Sequence, residues 1–113
     1  MKIDRREIWE VNMLLPDGKH KPHPCIVLSG QSVLESEEAA LVVMLTTSGS
    51  DDEFSFYIEN EMITYKPTKQ NLQARVQLIM LTPLNQFSKR FGYIKQPYFE
   101  KLIEQINTVI FKG

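Results

Sequence analysis

The sequence predicts a mostly β protein that ends in one long α-helix. Two observations favour this class: short apolar runs rich in β-branched residues are separated by turn residues, and only the last part of the chain has apolar residues at clear helical spacing. With 113 residues, 42% of them hydrophobic, the chain is long enough for one hydrophobic core and too short for two. We therefore expect a single domain, residues 1–113, in which strands form a small barrel and the helix packs across it.

The first predicted strand and the loop after it lie near the N-terminus. Residues 7–13 alternate in polarity, with Trp9 and Met13 on the same side, as in a half-buried strand. A Pro-Asp-Gly turn at residues 16–18 ends this strand. Residues 19–24 add two further prolines and several cationic side chains, so we expect a stiff, basic loop there.

The middle of the chain contains the other predicted strands. Residues 25–28 and 39–45 are apolar runs too short and too β-branched for helices, so both are predicted to be buried strands. Further strands are predicted at residues 54–58 and 75–81, with a weaker one at residues 62–65.

The predicted helix follows Pro97, which can occupy the first helical position. Its apolar residues recur at helical spacing and are Phe99, Leu102, Ile103, Ile106, Val109 and Ile110. Charged and amide side chains lie on the other side, which predicts a helix with one face packed on the sheet.

Charge is segregated along the chain although the net charge is only −1. Residues 35–61 contain eight acids and no Lys or Arg, whereas residues 62–113 contain eight Lys or Arg and two acids. A basic face can bind phosphates even in a near-neutral protein, because binding responds to local potential. The alternative is that the fold scatters these cations over every face as ordinary solvated side chains.

Several classes of protein are excluded by what the sequence lacks. The single cysteine, Cys25, cannot form an intramolecular disulfide, and no Cys and His arrangement gives a closed zinc site. We expect Cys25 to be a buried thiol, although His23 would share its strand face and a Cys–His pair stays geometrically possible. No segment has the apolar length of a secretion signal or a membrane span, so we expect a cytoplasmic protein that does not enter membranes.

Four segments carry a family resemblance through their order and spacing. They are residues 6–11 (REIWEV), residues 23–29 (HPCIVLS), residues 42–48 (VVMLTTS) and, in the last helix, residues 106–110 (INTVI). In this order the chain resembles the MazF/PemK (Kid-like) toxins, a family of small, metal-independent mRNA endoribonucleases that pair with antitoxins. The resemblance spans nearly the whole chain.

The resemblance implies a small SH3-like barrel of the MazF/PemK/CcdB type, a symmetric homodimer that binds single-stranded RNA near the dimer interface, and a cognate antitoxin that covers the same surface. It implies cleavage without metal or cofactor, by attack of the RNA 2′-hydroxyl. Carried over by position, the family's catalytic residues fall on His23 and Thr46, and Arg75 is the remaining candidate clamp for phosphate. RNA contacts are expected from Lys19, His20, Lys21, Thr47 and Ser48.

Two departures from the family pattern leave an alternative open. His23 stands where the family has Arg, and an imidazole exchanges protons near neutral pH whereas Arg chiefly stabilises negative charge. Residues 76–84 lack the Arg and acid that many members have on or after this strand. The chain is then either a metal-independent ribonuclease toxin or a catalytically degenerate or CcdB-like protein that acts through a protein partner. A gyrase-binding protein is disfavoured because the C-terminal segment lacks the tryptophan typical of CcdB-like toxins.

Each candidate residue also has an ordinary interpretation. His23 can be a solvated residue between two prolines, Thr46 a strand-end hydroxyl bonded to nearby backbone, and Arg75 a surface side chain. The cationic residues 19–23 suit an acidic antitoxin tail as well as RNA phosphates.

Overall fold

The computed structural model describes residues 2–113, which form six strands and two helices. The strands are β1 (Glu7–Leu14), β2 (His20–Val27), β3 (Ala39–Thr46), β4 (Ser55–Tyr57), β5 (Gln73–Pro83) and β6 (Phe87–Tyr93). Helix α1 (Gln31–Glu37) precedes β3, and helix α2 (Gln96–Ile106) continues into a π-helical turn, Asn107–Phe111. Within residues 2–113, no helix combines the length and the apolar character needed to cross a membrane.

All six strands belong to one antiparallel sheet in the order β4-β5-β3-β2-β1-β6. Register shifts in the β1–β6 and β3–β5 pairs bend the sheet. The edge strands β4 and β6 form no ladder with each other, so in the described part of the chain the sheet stays open. The predicted class, mostly β with a C-terminal helix, is confirmed, and the barrel is not closed by hydrogen bonds.

Apolar side chains pack on both faces of the sheet. On one face, α2 buries Phe99, Leu102 and Ile106 against strand residues that include Leu45 and Ala74. We call this the helix face. The opposite face has its own buried cluster, whose strand residues are Trp9, Val11, Met13, Cys25, Val27, Ala40, Val42, Met44 and Phe87. Alternation along each strand therefore assigns every side chain to one of two packed faces.

The segment predicted to be a basic loop is largely strand, because β2 begins at His20. Leu14 pairs with His20 and Asn12 with Pro22, so β1 and β2 form a long hairpin around a short turn. Prolines usually indicate a loop, but a proline is tolerated in a strand whose N–H side is not used for pairing.

Three other elements differ from the sequence-based expectation. Helix α1 was not predicted, because none of its residues is buried and it therefore has no apolar periodicity. Strand β6 was not predicted, because three consecutive polar residues, Ser88, Lys89 and Arg90, interrupt its alternation and its pairing with β1 is irregular. The weak strand at residues 62–65 is wrong: Asn60–Met62 is a 3-10 turn, and Ile63 makes only an isolated bridge to Ile94.

Candidate functional site

The candidate site lies at the end of β3, where Thr46 pairs with Gln73 of β5. The neighbouring pair, Leu45 and Ala74, is buried on the helix face. Thr46, Gln73 and, two residues on, Arg75 therefore lie on the face opposite α2. Two of the predicted catalytic residues are brought together in this way by the β3–β5 register.

The Arg75 guanidinium is enclosed by acceptors, and Arg75 is only 8% exposed. Its Nη1 and Nη2 donate to the two carboxylate oxygens of Asp52 at 2.9 and 3.0 Å. Nη1 also lies within hydrogen-bond distance of the Ser50 carbonyl oxygen (2.9 Å), Ser55 Oγ (3.1 Å) and Gln73 Oε1 (3.0 Å). We call these five residues the Arg75 cluster. Its burial excludes the interpretation of Arg75 as an ordinary surface side chain.

The ion pair determines which part of Arg75 is free. Hydrogen bonds from the guanidinium hold the pKa of the Asp52 carboxyl below its ordinary value, so the carboxylate is ionised at neutral pH. Within residues 2–113 the Nε of Arg75 donates to no acceptor and is not completely buried.

The Thr46 hydroxyl lies beside the cluster with its own local bonds. Its Oγ1 accepts a hydrogen bond from the Ser48 backbone N–H at 3.2 Å and lies 3.2 Å from Ser48 Oγ. Either hydroxyl can be the donor in this contact, so the Thr46 proton is available to a ligand when Ser48 donates. These local bonds agree with the interpretation of Thr46 as a strand-end hydroxyl bonded to nearby groups. They do not prevent the hydroxyl from donating to a ligand.

The loop after β3 lies directly on the cluster. A Cβ on Gly49 would come within 2.8 Å of Gln73 Nε2 and 3.0 Å of Arg75 Cδ. Only a residue without a side chain lets this backbone lie so close to Arg75 without displacing it.

His23 lies on the neighbouring strand at the point where β2 and β3 separate. The β2–β3 ladder ends at the pair Cys25–Met44. His23 and Thr46 each lie two residues beyond that pair, on the same face as Cys25 and Met44. The three predicted catalytic residues thus lie on three adjacent strands and on one face, and His23 is half-buried there.

The predicted cationic group does not form one compact loop. Lys19 lies in the hairpin turn, while His20 and Lys21 are consecutive residues of β2, and all three are exposed. Because alternate residues of a strand point to opposite faces, Lys21 shares the face of His23 and His20 lies on the other one. The prediction of a single cationic loop is corrected accordingly, and its proposed RNA contacts remain predictions.

Cys25 is fully buried, as its apolar strand predicts. Burial raises the pKa of its thiol to about 12, so the thiol is protonated and a poor nucleophile near neutral pH. Its Sγ contacts the His23 carbonyl oxygen at 3.6 Å and forms no hydrogen bond with the imidazole. For residues 2–113, no group of three or more His, Cys, Asp or Glu is placed to hold a metal ion.

Sequence reasoning missed the residues that hold Arg75. Asp52 lies 23 residues from Arg75 along the chain, in a loop, whereas the family pattern directed attention to an acid on the strand itself. The available signal was the acidic triplet at residues 51–53 in a segment without Lys or Arg.

An apolar groove of about 310 Å³ lies on the same face as Met44. Its lining residues are Met13, Leu14, Leu15, Pro16, Met44, Gln77, Leu78, Ile79 and Met80. Leu14, on this groove, is 45% exposed, so the groove leaves apolar surface in water.

Comparison with protein families places the chain. The model of the PemK-like, MazF-like toxins of type II toxin–antitoxin systems matches residues 4–110. The chain belongs to this family. No curated protein matches this sequence.

Solved structures share the fold at low sequence identity. MazF from Deinococcus radiodurans has a TM-score of 0.78 at 7% identity, with 98% of each chain covered. A mycobacterial endoribonuclease in complex with its cognate antitoxin has a TM-score of 0.74 at 11% identity. The alignment covers 99% of this chain and 98% of the mycobacterial chain. The Mycobacterium tuberculosis toxin MazF-mt6 has a TM-score of 0.71 at 16% identity, and the alignment covers 91% of this chain and 94% of MazF-mt6.

Proposed function

We propose that this MazF/PemK-family toxin, one domain over residues 1–113, is an endoribonuclease that cleaves single-stranded mRNA in the cytoplasm without metal or cofactor. The observation that supports the proposal is the placement of His23, Thr46 and Arg75 on adjacent strands and one face, with the Arg75 Nε making no hydrogen bond within residues 2–113. Family membership and the endoribonuclease neighbours support the same activity.

The chemistry needs a base, a proton for the leaving group and donors for the phosphorane. His23 takes the proton of the 2′-hydroxyl while the 2′-oxygen attacks phosphorus. The bond from phosphorus to the 5′-oxygen breaks, and that oxygen takes a proton from water in the open site. The Thr46 hydroxyl and the Arg75 Nε donate to the phosphorane oxygens, and the products are a 2′,3′-cyclic phosphate and a 5′-hydroxyl.

The apolar groove supports a homodimer as the active form. A second copy of the chain would cover the exposed apolar surface around Leu14, which is 45% exposed. RNA would then bind beside that interface, through Lys19, His20, Lys21, Thr47 and Ser48. The cognate antitoxin would cover the same surface.

The test is cleavage of RNA by the purified, antitoxin-free protein in EDTA, comparing wild type with His23→Ala. We expect His23→Ala to slow cleavage by about 100-fold or more, since it removes the general base. His20→Ala is the comparison: His20 is assigned to RNA binding and not to proton transfer, so its loss should raise KM and leave kcat unchanged, whereas loss of His23 should lower kcat. The new ends should contain 2′,3′-cyclic phosphate.

Other outcomes would change the assignment. Equal cleavage by wild type and His23→Ala would assign the base to another residue. No cleavage by wild type at any concentration would contradict the ribonuclease proposal.

A catalytically degenerate or CcdB-like binder is the second candidate, because Asp52 already occupies two of the three nitrogens of Arg75. A cation neutralised in this way stabilises a phosphorane less than a free one does. This candidate predicts a folded protein that binds a protein partner and leaves RNA intact, and an unchanged gyrase supercoiling assay would exclude its gyrase version.

A further inference from the structure

A second site of different character lies at the β6 edge of the sheet. An open cleft of about 430 Å³ is lined by Asn60, Ile63, Thr64, Tyr65, Lys66 and Lys95. We call it the Tyr65 cleft. The proposed chemistry does not use it, because none of its lining residues belongs to the Arg75 cluster or to the predicted catalytic residues.

The wall of the cleft is fixed to β6 by short backbone contacts. The Thr64 N–H donates to the Tyr93 carbonyl at 3.1 Å, and the Tyr93 N–H donates to Thr64 Oγ1 at 2.9 Å. A Cβ on Gly92 would come within 2.5 Å of Thr64 Oγ1 and 3.1 Å of Tyr65 Cδ1. Gly92 therefore allows Thr64 and Tyr65 to approach β6 closely enough to form the cleft.

Aromatic rings continue from the cleft along β6. Tyr65 stacks on Phe91, with 5.4 Å between ring centroids and 21° between the rings. Tyr93, two residues further along the strand, is 38% exposed. Such rings bind unpaired bases of any sequence by stacking.

Four cations surround these rings. Lys66 and Lys95 line the cleft, Lys89 Nζ lies 5.1 Å from the Phe91 ring centroid, and Arg6 lies 5.3 Å from that of Tyr93. For residues 2–113, none of these four cations has a carboxylate within 4.0 Å, the limit for a salt bridge, whereas nearby Glu7 is paired with Arg90 at 2.7 Å. These four cations are therefore available to the phosphates of a polyanion.

We infer that the Tyr65 cleft and the adjoining rings of β6 bind a second stretch of single-stranded RNA, separate from the nucleotides at the Arg75 cluster. Rings interleaved with cations favour RNA over an acidic peptide, for which cations alone suffice. The inference rests on the proposed function, since it takes RNA as the substrate. A long RNA would contact both edges of the sheet, and a short one only the cleavage site.

The first test measures binding of a 2′-O-methyl RNA of about 20 nucleotides, which cannot be cleaved because it has no free 2′-hydroxyl. We expect the double variant Lys66→Gln and Lys95→Gln to bind about tenfold more weakly at low salt, and its salt slope to fall by about 1.4, or about 0.7 per lost contact. The control is Lys101→Gln with Lys112→Gln, which removes the same charge from α2 and the chain end, outside the cleft.

The second test separates RNA from an acidic peptide through the ring of Tyr93. Tyr93→Leu should weaken RNA binding about fivefold or more, and Tyr93→Phe should leave it unchanged, because stacking needs the ring and not the hydroxyl. Thermal unfolding of each variant checks that the fold persists. Binding of polyglutamate that depends on Lys66 and Lys95, with RNA binding unaffected, would overturn the inference.

Failure of this inference is distinguishable from failure of the proposed function. A wild type that does not cleave a short RNA contradicts the ribonuclease proposal whatever the cleft does. Equal affinity and equal salt slope for 2′-O-methyl RNA in the wild type, the double variant and the control contradict the second site whether or not the protein cleaves.

Discussion

The Arg75 cluster and the Tyr65 cleft lie toward opposite edges of one sheet and use their cations in opposite ways. Arg75 is buried and held at both terminal nitrogens by Asp52. Lys66 and Lys95 are exposed and, for the residues described, have no carboxylate within 4.0 Å. An enclosed cation has a fixed position but part of its charge is neutralised, whereas solvated cations attract a polyanion without orienting it. A fixed cation suits the orientation of a reacting phosphate, and solvated cations suit the binding of a polyanion in many positions.

The largest expected effect is on the buried cation. Arg75→Met should lower the free energy of unfolding by about 2–3 kcal/mol, because it leaves Asp52 and the buried Gln73 amide without their charged partner. Arg90→Met is the matched control: the Arg90 side chain is 47% exposed, and its partner Glu7 keeps hydrogen bonds from the Asp4 N–H and Trp9 Nε1, so loss of Arg90 should cost less than about 1 kcal/mol. Urea unfolding curves measure both effects. Equal unfolding midpoints for Arg75→Met and Arg90→Met would contradict the structural role given to Arg75.

A smaller effect is expected where each region packs on a glycine. Gly92→Ala places a methyl group against Thr64 Oγ1 and Tyr65, and should cost about 1–2 kcal/mol in urea unfolding. It should weaken binding of the uncleavable RNA and leave cleavage of a short RNA unchanged. Gly49→Ala places a methyl group against Gln73 Nε2 and Arg75 Cδ. It should slow cleavage of the short RNA and leave binding of the uncleavable RNA unchanged. If both variants changed both activities together, the two regions would not be independent.

The smallest effect concerns the pH dependence of the ion pair. Since Arg75 holds the pKa of Asp52 below its ordinary 3.8, the pair stabilises the fold fully above that pH and less as the pH falls through the lower value in the folded state. Asp52→Asn should therefore lower the Tm at neutral pH, and its difference from wild type should shrink below pH about 4.

The control for this pH series is Asp51→Asn, because Asp51 bonds to the Tyr57 hydroxyl at 2.7 Å and not to a cation. A Tm difference for Asp52→Asn that stayed constant from pH about 7 to pH about 2 would show that the ion pair does not stabilise the fold.

The sequence predicts the elements whose side chains repeat with the period of their structure. Strands β1 and β3 and helix α2 each bury one face or both, so their apolar pattern is visible in a single chain. Helix α1 has no fully buried residue, and the alternation of β6 is interrupted by three consecutive polar residues, so neither has such a pattern.

The candidate site was predictable only in part, for a related reason. His23 and Thr46 could be placed because they flank apolar strands with a recognisable order. The partner of Arg75 could not, because Asp52 reaches it from a loop 23 residues away and no local pattern encodes that contact. The Tyr65 cleft likewise depends on residues 60–66 lying beside β6, a contact between distant segments of the chain.

The two prolines of β2 have a consequence for how the protein behaves at high concentration. The Leu28 N–H donates to Leu41 of β3, and backbone groups alternate along a strand, so Pro24 and Pro22 turn the same way, toward the side where the ladder with β3 has ended. That stretch beside His23 therefore lacks two N–H donors with which a foreign strand could pair. A foreign strand therefore gains fewer backbone hydrogen bonds at this part of the sheet, which disfavours aggregation there.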